Sequence, residues 1–398
     1  VQQDKERLYR ERLLRYTTAM KNGKPDRVPL RIFAAEFANK YYGINNQEAV
    51  QDYEKAFAAV RKCAADFGWD SVMTNMVAVW AGIVNQLGLL YYRFPGIELP
   101  VNIGHQYVEP PDEEGAFMKE DEYDLLIDSP TEYLANVWIP RVAKPIASVG
   151  DPSTYESNMT WLKGGIGMVM YDDAWGRAND LLRKECGCVP AIAGILKAPF
   201  DILADKLRGF RQVCLDVRRR PKKVEKACEA LMPHMLQNAL FTSDSDKQLP
   251  VTVWLHRGTY FSKEMYERFF WPTFKQILVE LHREGLQTLW YGEGDWGRWL
   301  HHTKELPEGS IIYHVDREDI FEASRVLGEK FCISGGIPND LLAIGTPEEV
   351  KVYCKKVIEG VAGEGGYIMD ASAIIGSDAK EENIRAMTEY TLQHGVYY

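Results

Sequence analysis

Apolar residues along this chain fall into short continuous runs, and between the runs they recur three and four positions apart. Short apolar runs bounded by turn residues predict buried strands, and the three-four spacing predicts amphipathic helices. The runs lie at residues 28–33, 69–74, 189–196, 248–255, 286–291, 310–314, 330–334 and 366–370. Residues 1–22 read as a helix with Leu8, Leu13 and Leu14 on one side. Residues 46–68 read as another, where Ala49, Val50, Tyr53, Phe57 and Val60 repeat at helical spacing. Thr346-Pro-Glu-Glu opens a later helix with a cap, a proline at its first position and two acids in its first turn. Eight strand–helix units predict an α/β fold, a (β/α)8 TIM barrel, formed by all 398 residues as a single domain.

Between residues 101 and 185 the alternation is interrupted. Residues 87–111 are rich in Tyr, Gly and Pro and read as a hairpin excursion. Residues 112–128 are acidic and read as an exposed turn or short helix, and 130–150 as a helix. The stretch 101–185 is expected as an inserted lid over the barrel mouth. Its Trp161, Met168, Met170, Tyr171 and Trp175 either roof an apolar substrate pocket or pack as an ordinary lid.

In a parallel barrel the ligand site lies at the carboxyl ends of the strands. Glu36 follows the first run, and Asn75 and then Trp80 follow the second. His256 and Arg257 close the fourth; Arg257 suits a carboxylate or phenolate gripped in bidentate fashion, or forms a satisfied inner-wall pair with His256. Glu293 and Asp295 follow Tyr291 at the fifth, His314 and Asp316 end the sixth, and Asp370 ends the eighth. Glu293, His314 and Asp295 are the candidate catalytic residues, although Asp295 equally suits a cap on the next helix. His256, Arg257, Glu36, Asn75, Trp80, Tyr291 and Asp370 are the candidate substrate contacts. Gly335-Gly336, at the seventh strand end, allows close backbone approach to a ligand.

Composition narrows the classes further. The formal net charge of −10 argues against a nucleic-acid partner. No apolar run approaches membrane-spanning length, and the charged amphipathic start is not a secretory signal. Seven scattered cysteines make a disulfide framework unexpected and fit a cytoplasmic location. Cys186-Gly-Cys188 lacks a second cluster to complete a metal site, and the basic run 218–223 reads as a solvated helix end. No Gly-x-Ser-x-Gly elbow, Walker sequence or dinucleotide fingerprint is present.

Several separated segments are similar to a known family: Pro25-Asp-Arg-Val-Pro29, Phe261-Ser-Lys-Glu-Met-Tyr266 with Phe269-Phe-Trp-Pro272, Glu293-Gly-Asp-Trp296, and residues 333–350. They resemble the uroporphyrinogen decarboxylase superfamily, and within it the corrinoid-dependent O-demethylase methyltransferases. The porphyrinogen decarboxylases carry an arginine-bearing Met-Arg-Gln-Ala-Gly-Arg segment after the first strand, where this chain has Arg31-Ile-Phe-Ala-Ala-Glu36. The thiol methyltransferases of the fold use His-x-Cys and a late Cys for zinc, where this chain has His256-Arg257-Gly258 and Ser372.

The O-demethylase zinc pattern, Glu-x14-Glu-x20-His, meets Glu293 and His314 in its last two positions and Leu278 in its first, with Glu280 nearby. The resemblance therefore implies zinc on Glu293 and His314, with a third donor from Asp295, Glu280 or Asp370. Without zinc, His314 would act as proton donor. It implies transfer of a methyl group from a small methyl ether, a methoxyarene in an anaerobic setting, to the cob(I)alamin of a separate corrinoid protein. No corrinoid-binding Asp-x-His-x-x-Gly pattern occurs here, so the corrinoid belongs to that partner. A homodimer is the candidate assembly. A decarboxylase-type lyase and a non-catalytic ligand-binding barrel are the alternative readings.

Overall fold

In a computed structural model, which describes residues 2–74 and 79–397, each expected apolar run carries a parallel strand. These are β1 (Arg31–Ile32), β2 (Ser71–Val72), β3 (Val189–Pro190, resuming at Gly194–Lys197), β4 (Val251–Leu255), β5 (Thr288–Gly292), β6 (Ile311–Val315), β7 (Cys332–Gly335) and β8 (Tyr367–Ile368). The first half of β3 pairs with β2 and its second half with β4, so the bend in β3 joins the two halves of the wall. From β4 the pairing runs in chain order to β8. A parallel bridge between Leu30 and Met369 closes the ring. There the Arg31 amide donates to the Met369 carbonyl (3.1 Å), and the Met369 amide to that of Pro29 (2.9 Å). The fold is a (β/α)8 barrel.

The strands are buried on both faces, which is why they read as continuous runs and not as alternating ones. Outward residues such as Trp290, Tyr313 and Ile333 pack under the surrounding helices. Inward residues such as Phe33, Leu289, Tyr291, Ile312 and Cys332 fill the interior. The helix Gln2–Met20 contributes Tyr16, Ala19 and Met20 to that inner cluster. Its buried face is therefore Arg12, Tyr16, Ala19 and Met20, with the expected Leu13 half-buried against the same cluster; Leu8 is half-buried and Leu14 is solvent-exposed. The reason is the fully buried Asp70, whose carboxylate draws Arg15 (2.6 Å) and Arg27 (2.7 Å) toward the barrel base.

Two expected helices are broken. Residues 46–68 form Asn46–Gln51 and Tyr53–Phe67, because Asp52 is extended and its side chain caps the second helix at the Lys55 amide. Within 130–150, helix persists only to Val142, through a π-turn at Leu134–Trp138. The hairpin excursion pairs Tyr92–Arg93 antiparallel with Gln106–Tyr107. A long helix, Tyr155–Leu181, packs across Tyr53–Phe67 and Ala81–Leu87.

Candidate functional site

Four strand ends meet around a cavity of about 780 Å³. β3 delivers Lys197, and the turn after it (Pro199–Ile202, then a π-turn at Leu203–Leu207) delivers Asp201 and Asp205. β4 is followed by His256 and Arg257, β5 by Glu293, and β6 by Asp316. Trp254 and Tyr260 add aromatic surface, and the hairpin places His105 and Tyr107 over the opening.

The centre of this group is Asp205, whose side chain is fully buried. One carboxylate oxygen lies 2.6 Å from His256 Nδ1 and 2.6 Å from Lys197 Nζ, and the other accepts from Arg257 Nε at 2.6 Å. Burial opposes its charge, but the His256 hydrogen bond and the Lys197, His256 and Arg257 charges hold it well below the usual carboxylate range. Asp201, directly beneath, accepts the backbone amides of His256 (3.1 Å) and Arg257 (3.2 Å). Burial first, and then the neighbouring Asp205 charge, push Asp201 upward. Ionised Asp205 accepts a hydrogen bond from His256 Nδ1–H, with Lys197 Nζ 3.0 Å from the same nitrogen, so the ring is held and Nε2 is the atom left for the cavity. That Nε2 faces Glu293 Oε1 at 4.0 Å, and Glu293 is half exposed.

Beside this cluster Lys206 Nζ lies 3.9 Å from the Tyr107 ring centroid and 4.7 Å from those of Tyr91 and Tyr92. Burial, and then the Lys197 charge, lower its amine to about 7. Burial and the Lys206 charge lower His105 to about 4, so His105 is a neutral wall of the opening.

His314 does not join Glu293. It lies inside β6, one residue before the strand ends, and points into the barrel interior, where it stacks on Tyr291 at 4.2 Å. Burial, and then the Arg31 charge, push it well below the usual imidazole range, so it is neutral. Arg31 Nη2 donates to Nδ1 at 2.8 Å, which leaves Nε2–H to donate to the Ser372 carbonyl at 3.0 Å. Both ring nitrogens are used: the Nδ1 lone pair is taken by Arg31 and the one proton of the neutral ring, on Nε2, is held by the Ser372 carbonyl. The residues present do not fit a zinc ion shared by Glu293 and His314.

The expected third donors are elsewhere. Glu280 pairs with Arg283 on an outer helix, and Leu278 is buried among that helix's core contacts. Asp295 accepts the Gly297 amide at 2.9 Å in a local turn ahead of Gly297–Trp299, whose cap position is Trp296. Asp370 is buried against Arg31, 2.9 Å away, and burial pushes it up to about 7. Among the described residues no three His, Cys, Asp or Glu side chains converge as a metal set.

Of the expected substrate contacts, His256 and Arg257 line the cavity. Tyr291 lies beneath it, fully buried. Glu36 lines a separate polar hollow with Asn46, Asn102 and Ser377. Trp80 packs edge-on against Tyr53 at 4.8 Å, and Asn75 lies outside the described residues. Trp161, Met168 and Met170 are solvent-exposed, while Tyr171 packs on Tyr53 and Trp175 bonds Thr74, so the expected aromatic roof is not what lines the cavity. Lys197, Asp201 and Asp205 escaped the sequence reading. Two signals were available: Lys197 ends its run as His256 does, and Asp201 and Asp205 are four apart, on one helical face.

Residues 133–394 match the family model described as uroporphyrinogen decarboxylase (URO-D). No curated protein matches the chain. Among solved structures the chain is similar in fold to a methyltransferase from Methanosarcina mazei, at 14% identity and a TM-score of 0.63, over 95% of this chain and 97% of that one.

Proposed function

The chain belongs to the uroporphyrinogen decarboxylase family, and from that premise we propose that it is a methyltransferase, taking the methyl group of a small methoxyarene and passing it to a corrinoid on a separate protein. The observation that carries this reading is the Lys197–His256–Arg257 group, drawn together by Asp205 and turned toward an open cavity with aromatic walls. A methyl ether is inert because its oxygen leaves poorly unless charge on it is neutralised. The partner's cobalt(I) corrinoid supplies the nucleophile for the methyl carbon.

This chain's residues do the rest. Trp254, Tyr260 and Tyr107 hold the aromatic body and exclude water. As the carbon–oxygen bond breaks, its electron pair stays on the oxygen. His256 Nε2 places a proton there, and Lys197 and Arg257 hold positive charge beside it. Asp205 orients the ring through Nδ1, and Glu293 Oε1 stands 4.0 Å from Nε2 on the cavity side. The missing decarboxylase arginines and the missing thiolates at His256-Arg257-Gly258 and Ser372 support this branch over the two relatives. No step is assigned to zinc.

The test is a transfer assay with cob(I)alamin as acceptor and a panel of methoxyarenes as donors, following release of the free phenol. Phenol release that falls at least about a hundredfold in His256→Gln is the expected result for a lost proton donor. Carbon dioxide release from a carboxylated donor, with no phenol from any ether, would make the chain a lyase instead.

A further inference from the structure

The proposed transfer makes no use of the Lys206 amine. Lys206 follows Asp205 in the π-turn Leu203–Leu207 and is half-buried against the hairpin. Its Nζ lies 3.9 Å from the Tyr107 ring centroid and 4.7 Å from those of Tyr91 and Tyr92. Among the described residues its one hydrogen bond goes to Tyr92 Oη, at 3.1 Å. An ammonium there brings three donors to one acceptor and three ring faces, and a desolvated donor without a partner is costly. A second cation stands close by: Lys197 Nζ is 5.9 Å from the centroid of the same Tyr107 ring. Tyr107 and Lys197 both line the cavity, so the Lys206 amine adjoins it.

We propose that Lys206 is a carbonyl-capturing amine, which condenses with an aromatic aldehyde at the cavity rim to form an imine. Two features of its setting are those that make a lysine nucleophilic: an apolar pocket and a second cation beside it. Both act here, since burial and then the Lys197 charge lower the amine to about 7 and leave a large share of it uncharged at neutral pH. The hydrogen-bond count favours the product as well. A protonated imine has a single N–H, which matches the single acceptor Tyr92 Oη. Its positive charge is shared between carbon and nitrogen, which suits ring faces better than unpaired N–H groups do. The cavity walls choose the class of aldehyde: Tyr107 and, across the opening, Tyr260 and Trp254 offer ring surface for an arene to pack on.

The step balances without an oxidant or a reductant. The Nζ lone pair forms the bond to the carbonyl carbon while the carbon–oxygen π pair moves onto oxygen. Both Nζ protons pass to that oxygen, with Tyr92 Oη placed to relay them. The remaining carbon–oxygen bond then breaks, water leaves and the carbon–nitrogen double bond closes. No methyl group moves in this chemistry, so it stands or falls separately from the methyl-ether reading.

The test is incubation of the purified full chain with 4-hydroxybenzaldehyde and sodium cyanoborohydride at about pH 7, followed by peptide mass mapping of the reduced adducts. An ordinary lysine is almost fully protonated there, so Lys206 is expected to label at least about tenfold faster than any other lysine, Lys197 included. Lys206→Arg keeps a cation among the three rings and is expected to lose the fast adduct while the slow labelling of other lysines continues. Labelling spread over exposed lysines with Lys206 unmodified would overturn the proposal. So would a fast adduct on Lys197, or one that persists in Lys206→Arg. The wild-type peptide map decides the matter by itself if the variant does not fold.

Discussion

Two positions in strand register separate the two histidines that matter most. His256 follows the last residue of β4 and reaches the cavity, whereas His314 lies within β6 and turns inward. The environments then diverge: Asp205 orients His256, while Arg31 and Ser372 consume both nitrogens of His314. The two should therefore fail differently. His256→Gln is expected to lower the transfer kcat by about 10²–10⁴ with little change in stability. His314→Ala takes one acceptor from Arg31, which keeps Asp370 and Ser334, and leaves the buried Ser372 carbonyl without its donor; it is expected to cost about 1–3 kcal/mol of folding free energy. Urea unfolding beside single-turnover transfer separates the two effects. If His314→Ala unfolds like wild type yet transfers no methyl group, the assignment of the two roles is reversed. The place of Glu293 at the cavity was legible from sequence because it follows directly on the end of an apolar run. Asp201 and Asp205 were not, because acids in the first turns of a helix look like ordinary capping residues.

Strands were more legible than the segments between them. Each has both faces buried, so its whole length is apolar, whereas the breaks at Asp52 and at the π-turn Leu134–Trp138 depend on local hydrogen bonds with no periodic signature. For the aromatics of 155–181 the sequence left pocket roof and ordinary packing both open, for a related reason. Aromatic clusters mark packing and cavity walls alike, and here the wall is the short hairpin carrying His105 and Tyr107. That hairpin is held where Lys206 meets Tyr91, Tyr92 and Tyr107. The rings attract an ammonium, but burial and Lys197 outweigh them, since the amine is lowered to about 7. A base lowered in the fold is charged in the unfolded chain and neutral in the folded one between about 7 and its ordinary value. Its contribution to stability therefore rises with pH through that window and is least below about 7. Lys206→Met is accordingly expected to raise the melting temperature more at pH 6 than at pH 9. Thermal melts at the two values check this, and a larger gain at pH 9 would mean the rings win.

The barrel as a unit keeps ionisable groups in places that exclude water. Arg31, Asp370 and His314 occupy its interior, and Glu318 sits under β6, where it accepts from Tyr313 Oη at 2.8 Å and from the Trp296 amide at 3.4 Å. Burial pushes Glu318 up to about 7. An acid raised in the fold keeps its proton in the native state while the unfolded chain has already released it. Between the ordinary glutamate value and about 7 the native state therefore binds more protons, and stability from this group falls as pH rises through that window. The neutral histidines His105 and His314 act with the opposite sign at the acidic end, because the unfolded chain protonates them first. The wild-type profile alone therefore mixes the two effects, and the difference between wild type and Glu318→Gln isolates one of them. A glutamine never ionises, and its one oxygen keeps one of the two hydrogen bonds, which fall on different Glu318 oxygens. The difference measured at about pH 4 is therefore the baseline set by the lost hydrogen bond. By pH 8 the difference should have moved in the variant's favour by an amount on the order of a few kcal/mol, because burial holds Glu318 up to about 7 in the fold. Urea unfolding at pH 4, 6 and 8 gives the three differences directly. A constant difference across them would mean that the Glu318 carboxylate ionises in the fold as readily as in the open chain.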